Sequence, residues 1–187
     1  AAHLRDHVAH RYRAGIAAAE GDDAEGAAVV AAVLYLHEGA GAPLEAVDEM
    51  QRRLGNRMEN DFTRREFLQT VWYEATRAGL EVSLVLGLIQ VESNFCKFAI
   101  SSVGARGLMQ VMPFWARTIG DGDPAALFHQ QTNLRFGCAI LRYYLNREKG
   151  NLFMALGRYN GSRGQSKYPD AGMAAKRRWE LAQALSA

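Results

Sequence analysis

The clearest hydrophobic repeats along this chain fall at intervals of three and four, the period of an amphipathic helix, and strand-like alternation is scarce. Phe67, Val71, Ala75 and Ala78 repeat in this way behind Thr63 and Glu66, which have the Ser/Thr-x-x-Glu form of a capping box. The pattern predicts a helix over residues 64–78, closed by Gly79. Val82, Val85, Leu86, Leu88 and Ile89 then form a broad apolar face that runs into Glu92 and Ser93, so this acid falls at a helix C-terminal end. The negative helix end disfavours a carboxylate there. Residues 94–112 are mixed and carry Gly104 and Gly107, which predicts a loop or short strands, and Pro113 then opens a helix over residues 113–118.

A turn-rich loop follows at residues 120–124. Leu134, Cys138, Leu141 and Leu145 mark a helix to about Arg147 with Thr132 or Asn133 as its cap, and Asn151 caps another over residues 152–159. A polar loop with two glycines at residues 161–168 precedes a last helix over residues 170–185. The first 55 residues are Ala-rich and broken by Gly15, Gly21, Gly26, Gly39, Gly41 and Gly55, as several short helices would be. The expected fold class is all-α, with residues 1–60 as a helical N-terminal extension and residues 61–187 as the main domain.

Composition narrows this picture mainly by exclusion. At 187 residues, 49% hydrophobic and 22% charged, the chain is long enough for one well-buried core and is neither disordered nor fibrous in character. A net charge of +2 gives no footprint for nucleic acid. The longest apolar run, residues 27–36, is far below the roughly 18 residues of a membrane span. Residues 1–10 lack the apolar stretch of an export signal, so the chain is expected to be cytosolic or to have lost such a signal. His3, His7 and His10 share helical spacing but have no Cys or acidic partner at matched spacing, so they read as a polar face, and no metal is expected. Cys96 and Cys138 allow one pairing, worth about 3–4 kcal/mol in an oxidising compartment; in a reducing one they read as two small core residues.

The chemistry centres on Glu92, after which no Asp or Glu occurs until Asp121. A carboxyl held against an apolar wall has a raised pKa and can act as a general acid near neutral pH. An acid at a helix end is by itself more commonly a surface or capping residue. Its neighbours change the reading: Glu92-Ser93-Asn94-Phe95, Ala99, Ser101, and Ser102-Val103-Gly104-Ala105-Arg106-Gly107-Leu108-Met109-Gln110-Val111-Met112-Pro113 closely resemble the signature of the soluble lytic murein transglycosylase family. Asn133-Leu134-Arg135-Phe136-Gly137 and Ala155-Leu156-Gly157-Arg158-Tyr159-Asn160-Gly161 resemble two further blocks of that family, in its order.

The resemblance covers roughly residues 65–165 and implies a lysozyme-like helical domain, working without a cofactor on peptidoglycan glycan strands in the periplasm or cell envelope of a bacterium. It implies that Glu92 protonates the glycosidic oxygen of the MurNAc-GlcNAc β-1,4 bond and then accepts the proton of the sugar's own 6-hydroxyl, leaving a 1,6-anhydro end. Ser93 and Ser101 would lie beside the acid and the sugar, Met109 and Gln110 along the sugar site, and Tyr159 and Asn160 across from Glu92. The Tyr159 hydroxyl would orient the carboxyl, and the Asn160 amide would hold the N-acetyl group. The resemblance also favours a disulfide between Cys96 and Cys138.

Arg158, Ser162 and the basic loop 163–167 depart from the family pattern, and Arg158 or Lys167 is a candidate contact for peptide or lactyl carboxylates. Trp72, Trp115 and Trp179 read as core, with only Trp115 near the proposed cleft. Two rivals stand beside this reading. A goose-type lysozyme would add water and need a second carboxylate, Asp121 or Asp123, although Asp123 before Pro124 is more simply a turn or cap. A glycan-binding module would keep the cleft without needing the acid.

Overall fold

The computed structural model describes residues 44–58 and 60–181; the three N-terminal histidines and most of the Ala-rich segment lie outside them. The described residues form seven α-helices: α1 Leu44–Leu54, α2 Asp61–Arg77, α3 Val82–Ser93, α4 Pro113–Ile119, α5 Gln130–Arg147, α6 Leu152–Asn160 and α7 Lys167–Trp179. Short 3₁₀ turns occupy Gly55–Arg57 and Pro124–Phe128, and the only β pairing among the described residues is the isolated bridges Ile100 to Arg106 and Arg106 to Val111. The all-α class expected from the sequence is the one observed among the described residues.

Helix starts differ from the sequence expectation where two capping residues compete. Asn60, not Thr63, caps α2, its Oδ1 accepting the Thr63 amide at 2.8 Å. Asn is at least as good a cap as Thr, and its earlier position adds a turn to the helix. α5 starts at Gln130, so Thr132 and Asn133 lie inside it, and Asn133 is free to bond elsewhere. α7 starts at Lys167 rather than residue 170; Pro169 sits in its first turn, where no amide is needed. Asn151 caps α6 as expected, accepting the Met154 amide at 3.1 Å.

α3 is the central helix, buried from Ser83 to Ile89. It packs along α7 so closely that a Cβ at Gly87 would lie 2.5 Å from the Lys176 backbone nitrogen. Gly172 faces the same seam, where a Cβ would come within 3.3 Å of Leu88 and Leu156. The missing side chains let two backbones approach, and that approach fixes where the start of α7 stands relative to the end of α3. Val47, Met50 and Leu54 of α1 join the core, and Arg53 donates to the carbonyls of Arg178 and Glu180 at 3.1 and 2.8 Å.

After α3 the chain reverses through Asn94 and Phe95, both with positive φ (47° and 68°), a conformation that is costly for side-chain-bearing residues. Phe95 offsets the cost by burying its ring edge-on between Phe67 and Trp179, with centroids 6.0 and 5.4 Å away. Trp179 also donates to Gln90 Oε1 at 2.9 Å. Of the three tryptophans Trp179 is in the core, while Trp72 and Trp115 are half-buried against it.

Candidate active site

Glu92 stands one residue before the end of α3, in the turn closed by the left-handed Asn94, whose amide donates to Gln90 O. Its carboxyl is mostly buried, and burial raises its pKa to about 7. The Tyr168 hydroxyl opposes this by donating a hydrogen bond to Oε1, which favours the carboxylate. Burial also pushes the Tyr168 phenol well above its ordinary value, with the Glu92 charge second, so Tyr168 remains a donor. A carboxyl half-protonated near neutrality can give a proton and later take one back. Activity carried by this acid is expected to fall as pH rises through about 7. Tyr168→Phe removes the bond that favours the carboxylate, so this alkaline limb is expected to move to higher pH in a kcat-versus-pH profile. A shift to lower pH would contradict the assignment.

The loop after α3 is held from α5 by one buried side chain. Asn133, 1% exposed, accepts the Met109 amide at 2.8 Å through Oδ1 and donates through Nδ2 to the carbonyls of Arg106 and Leu127, both at 2.8 Å. Gly107 (φ 75°) passes against it, and a Cβ there would lie 2.4 Å from Asn133 Nδ2. Met109 in turn fills the space above Gly137, where a Cβ would meet Met109 Sδ at 2.4 Å. The Asn-x-x-x-Gly spacing on α5 thus places an amide and a gap one turn apart to receive the loop.

The residues expected at the site have the following places. Ser93 Oγ donates to Leu108 O at 2.8 Å and so ties the end of α3 to the loop. Ser101 Oγ accepts the Ala105 amide at 3.0 Å and closes the small turn between them. Gln110, at φ 48°, donates through Nε2 to the carbonyls of Gly107 and Ala99 at 2.9 and 3.2 Å. The Met109 side chain is fully buried and packs against Gly137. Asn160 is exposed and accepts from Ser162 Oγ at 3.0 Å.

Three expectations are corrected. The Tyr159 hydroxyl does not bond to Glu92; it donates to Met109 O at 2.7 Å, bracing the loop from α6. The tyrosine that touches the acid is Tyr168, 76 residues further along the chain. Tyr159 remains near enough that the Glu92 charge, after burial, raises its phenol pKa. Cys96 and Cys138 are free thiols: Cys96 is exposed on the loop after α3, and Cys138 is buried on the core face of α5. Burial pushes the Cys138 thiol well above its ordinary pKa. Arg158 is bound to Glu148, together with Arg163 at 2.7 and 3.0 Å, and the two guanidiniums, Arg163 first, hold that carboxyl down at about 2.

An all-α domain that brings a carboxyl of raised pKa to the end of its central helix, tied there to a loop pinned by an asparagine, is thereby defined. Residues 69–181 match the transglycosylase SLT domain family, and the chain belongs to it. Among curated proteins it is similar to the membrane-bound lytic murein transglycosylase C of Actinobacillus pleuropneumoniae, 42% identical over 89 residues that cover 42% of this chain and 24% of that protein. It is also similar to a transglycosylase of Enterobacteria phage PRD1, 32% identical over 103 residues, 55% of this chain and 37% of that one. The chain thus spans about a quarter to just over a third of the length of these relatives. Among solved structures, the lytic transglycosylase Slt of Pseudomonas aeruginosa, in an inactive mutant form, is matched over 94% of this chain and 30% of its own, at 22% identity and a TM-score of 0.48.

Proposed function

We propose that this protein is a lytic murein transglycosylase that breaks the MurNAc-GlcNAc β-1,4 bond of peptidoglycan without water and leaves a 1,6-anhydro end. The observation that carries the reading is the Glu92 carboxyl, held near pKa 7 by burial and in contact with a neutral tyrosine. Protonated, Glu92 donates to the glycosidic oxygen as the bond to the muramic C1 breaks. The resulting carboxylate takes the proton of the C6 hydroxyl as that oxygen closes on C1. One acid serves both steps because the nucleophile belongs to the sugar, so no enzyme carboxylate across the bond is required.

Two further features support a lyase over a hydrolase. Among the described residues no other carboxylate contributes to the Glu92 shift. The nearest following acids are occupied by local structure: Asp123 caps the 3₁₀ turn by accepting the Ala125 amide at 2.8 Å, and Asp121 accepts the Asp123 amide at 3.2 Å. Asp121→Asn and Asp123→Asn are therefore expected to keep the rate of strand release from purified peptidoglycan within about threefold of wild type, since each change leaves an amide oxygen in place as acceptor. A loss of roughly a hundredfold or more in a folded variant would give that residue a catalytic role and favour hydrolysis.

The substrate places the site of action in the bacterial cell envelope, on the periplasmic side where murein lies. No helix among the described residues is long and apolar enough to cross a membrane. Ser93, Ser101, Gln110 and Tyr159 hold the end of α3, the loop and α6 in the arrangement that receives the glycan, and Asn160, exposed at the end of α6, is left to contact the sugar.

A further inference from the structure

A cavity of about 360 Å³ opens between the end of α6 and the start of α7, with a lining that includes Val91, Asn160, Ser162, Gln165, Lys167 and Tyr168. Tyr168, which lines the cavity, is also the residue bonded to Glu92, so this one side chain links the cavity to the acid. Its lining has an apolar part, Val91 and the Tyr168 ring, and a polar part made of two amides, a hydroxyl and one ammonium. None of these lining side chains carries negative charge.

The three cations between residues 158 and 167 are not alike, and only Lys167 lines the cavity. Arg158 and Arg163 are both bound by Glu148. Lys167 is exposed and has no carboxylate within ion-pairing distance among the described residues. It is also the first residue of α7, where the positive end of the helix disfavours a cation. Helix stability therefore gives no reason for a lysine here, whereas an anion brought to the cavity by a ligand does. A volume of this size suits a short substituent rather than another stretch of glycan.

We propose that Lys167 is a specificity-determining residue whose ammonium receives a carboxylate of the lactyl-peptide arm carried by the muramic sugar. This rests on the proposed peptidoglycan substrate. The arm's aliphatic part lies against Val91 and the Tyr168 ring, and the Gln165 and Asn160 amides supply neutral donors beside the charge-assisted bond. Two carboxylates satisfy this chemistry, one on the stem peptide and one on the lactyl group after the peptide has been removed.

The test is equilibrium binding by the full chain in the Glu92→Gln background, so that strands are not consumed. Three probes are used: glycan strands with intact stems, strands stripped by an amidase so that lactyl carboxylates are bare, and stripped strands whose lactyl groups are converted to neutral methylamides. Adding Lys167→Ala is expected to weaken binding about tenfold to at least one of the two anionic probes, with Lys167→Arg restoring most of it and the neutral strands bound alike by all variants. Loss on stem-bearing strands places the carboxylate on the peptide; loss on stripped strands alone places it on the lactyl group. Unchanged binding to both anionic probes, an equal loss on the neutral one, or no binding to any of the three overturns the proposal. Failure of the lyase reading is seen separately, in the products of the wild-type enzyme, and does not alter this comparison.

Discussion

Glu92→Gln is expected to lower the turnover of purified peptidoglycan by about 10³-fold, because one side chain supplies both the proton that leaves and the base that recovers it. The amide keeps the shape and an acceptor for the Tyr168 hydroxyl, so the fold is preserved. Stability should move the other way. The carboxyl has a pKa of about 7 in the folded protein against an ordinary value of 4.5, so the native state binds the proton more tightly than the unfolded chain does. Native stability therefore falls as pH rises from about 4.5 to about 7, where the folded protein holds a proton that the unfolded chain has released, and levels off above. The burial cost carried by wild type above pH 7 is on the order of 3 kcal/mol and is absent from the Gln variant. Thermal unfolding of the two proteins is expected to give similar Tm values near pH 4 and a higher Tm for Glu92→Gln at pH 8. A Gln variant that is less stable than wild type at pH 8 would mean that the carboxylate is held by favourable partners, which is incompatible with its role as an acid.

The second large effect is on the loop rather than the acid. Asn133→Ala removes three hydrogen bonds of 2.8 Å and leaves the Met109 amide and the carbonyls of Arg106 and Leu127 without their partner in the interior. Each stranded buried group costs about 1–3 kcal/mol, so a total loss of roughly 3–5 kcal/mol is expected in urea unfolding. Activity should fall with it, since the same turn carries Met109 O, the acceptor for Tyr159, and Leu108 O, the acceptor for Ser93. Asn133→Asp separates the two functions of the amide: it keeps an acceptor for the Met109 amide but turns the donor toward two carbonyls into a repelling oxygen. Its stability should be no better than that of the alanine variant. A loss below about 1 kcal/mol in either variant would show that water replaces the side chain and that the loop is held by its own bridges.

The position of Glu92 at the end of an apolar helix was legible from spacing alone, because a 3.6-residue period is a local property and the run from Val82 to Ile89 has no competing pattern. The α4 start at Pro113 and the Asn151 cap were legible for the same reason. What was not legible involved pairings across distance. Asn133 reads as a cap because asparagine near a helix start satisfies local amides, and nothing in its neighbourhood reveals that amides and carbonyls from residues 106, 109 and 127 come to it instead.

Tyr168 is not legible as a site residue because it ends a polar, glycine-bearing loop with no periodicity of its own. The one local signal was an aromatic residue placed just before Pro169, at the start of an amphipathic helix. Its partner is set by the approach of α3 and α7 at Gly87, a tertiary fact. The motif around Tyr159 points to the site without identifying its bond, and the contact with the acid belongs to Tyr168 instead. The cysteine pair failed similarly: nearness of a loop and a helix does not give two side chains the same burial, and here one thiol faces outward while the other is in the core.

The most direct test of the central claim is to digest purified peptidoglycan with the wild-type protein in water enriched in oxygen-18 and to weigh the soluble glycan products by mass spectrometry. Closure of the muramic C6 oxygen onto C1 predicts products one water lighter than reducing sugars and free of label, absent when Glu92→Gln is used. Reducing ends that carry one labelled oxygen would show that water, not the sugar's own hydroxyl, attacks, and would contradict the account.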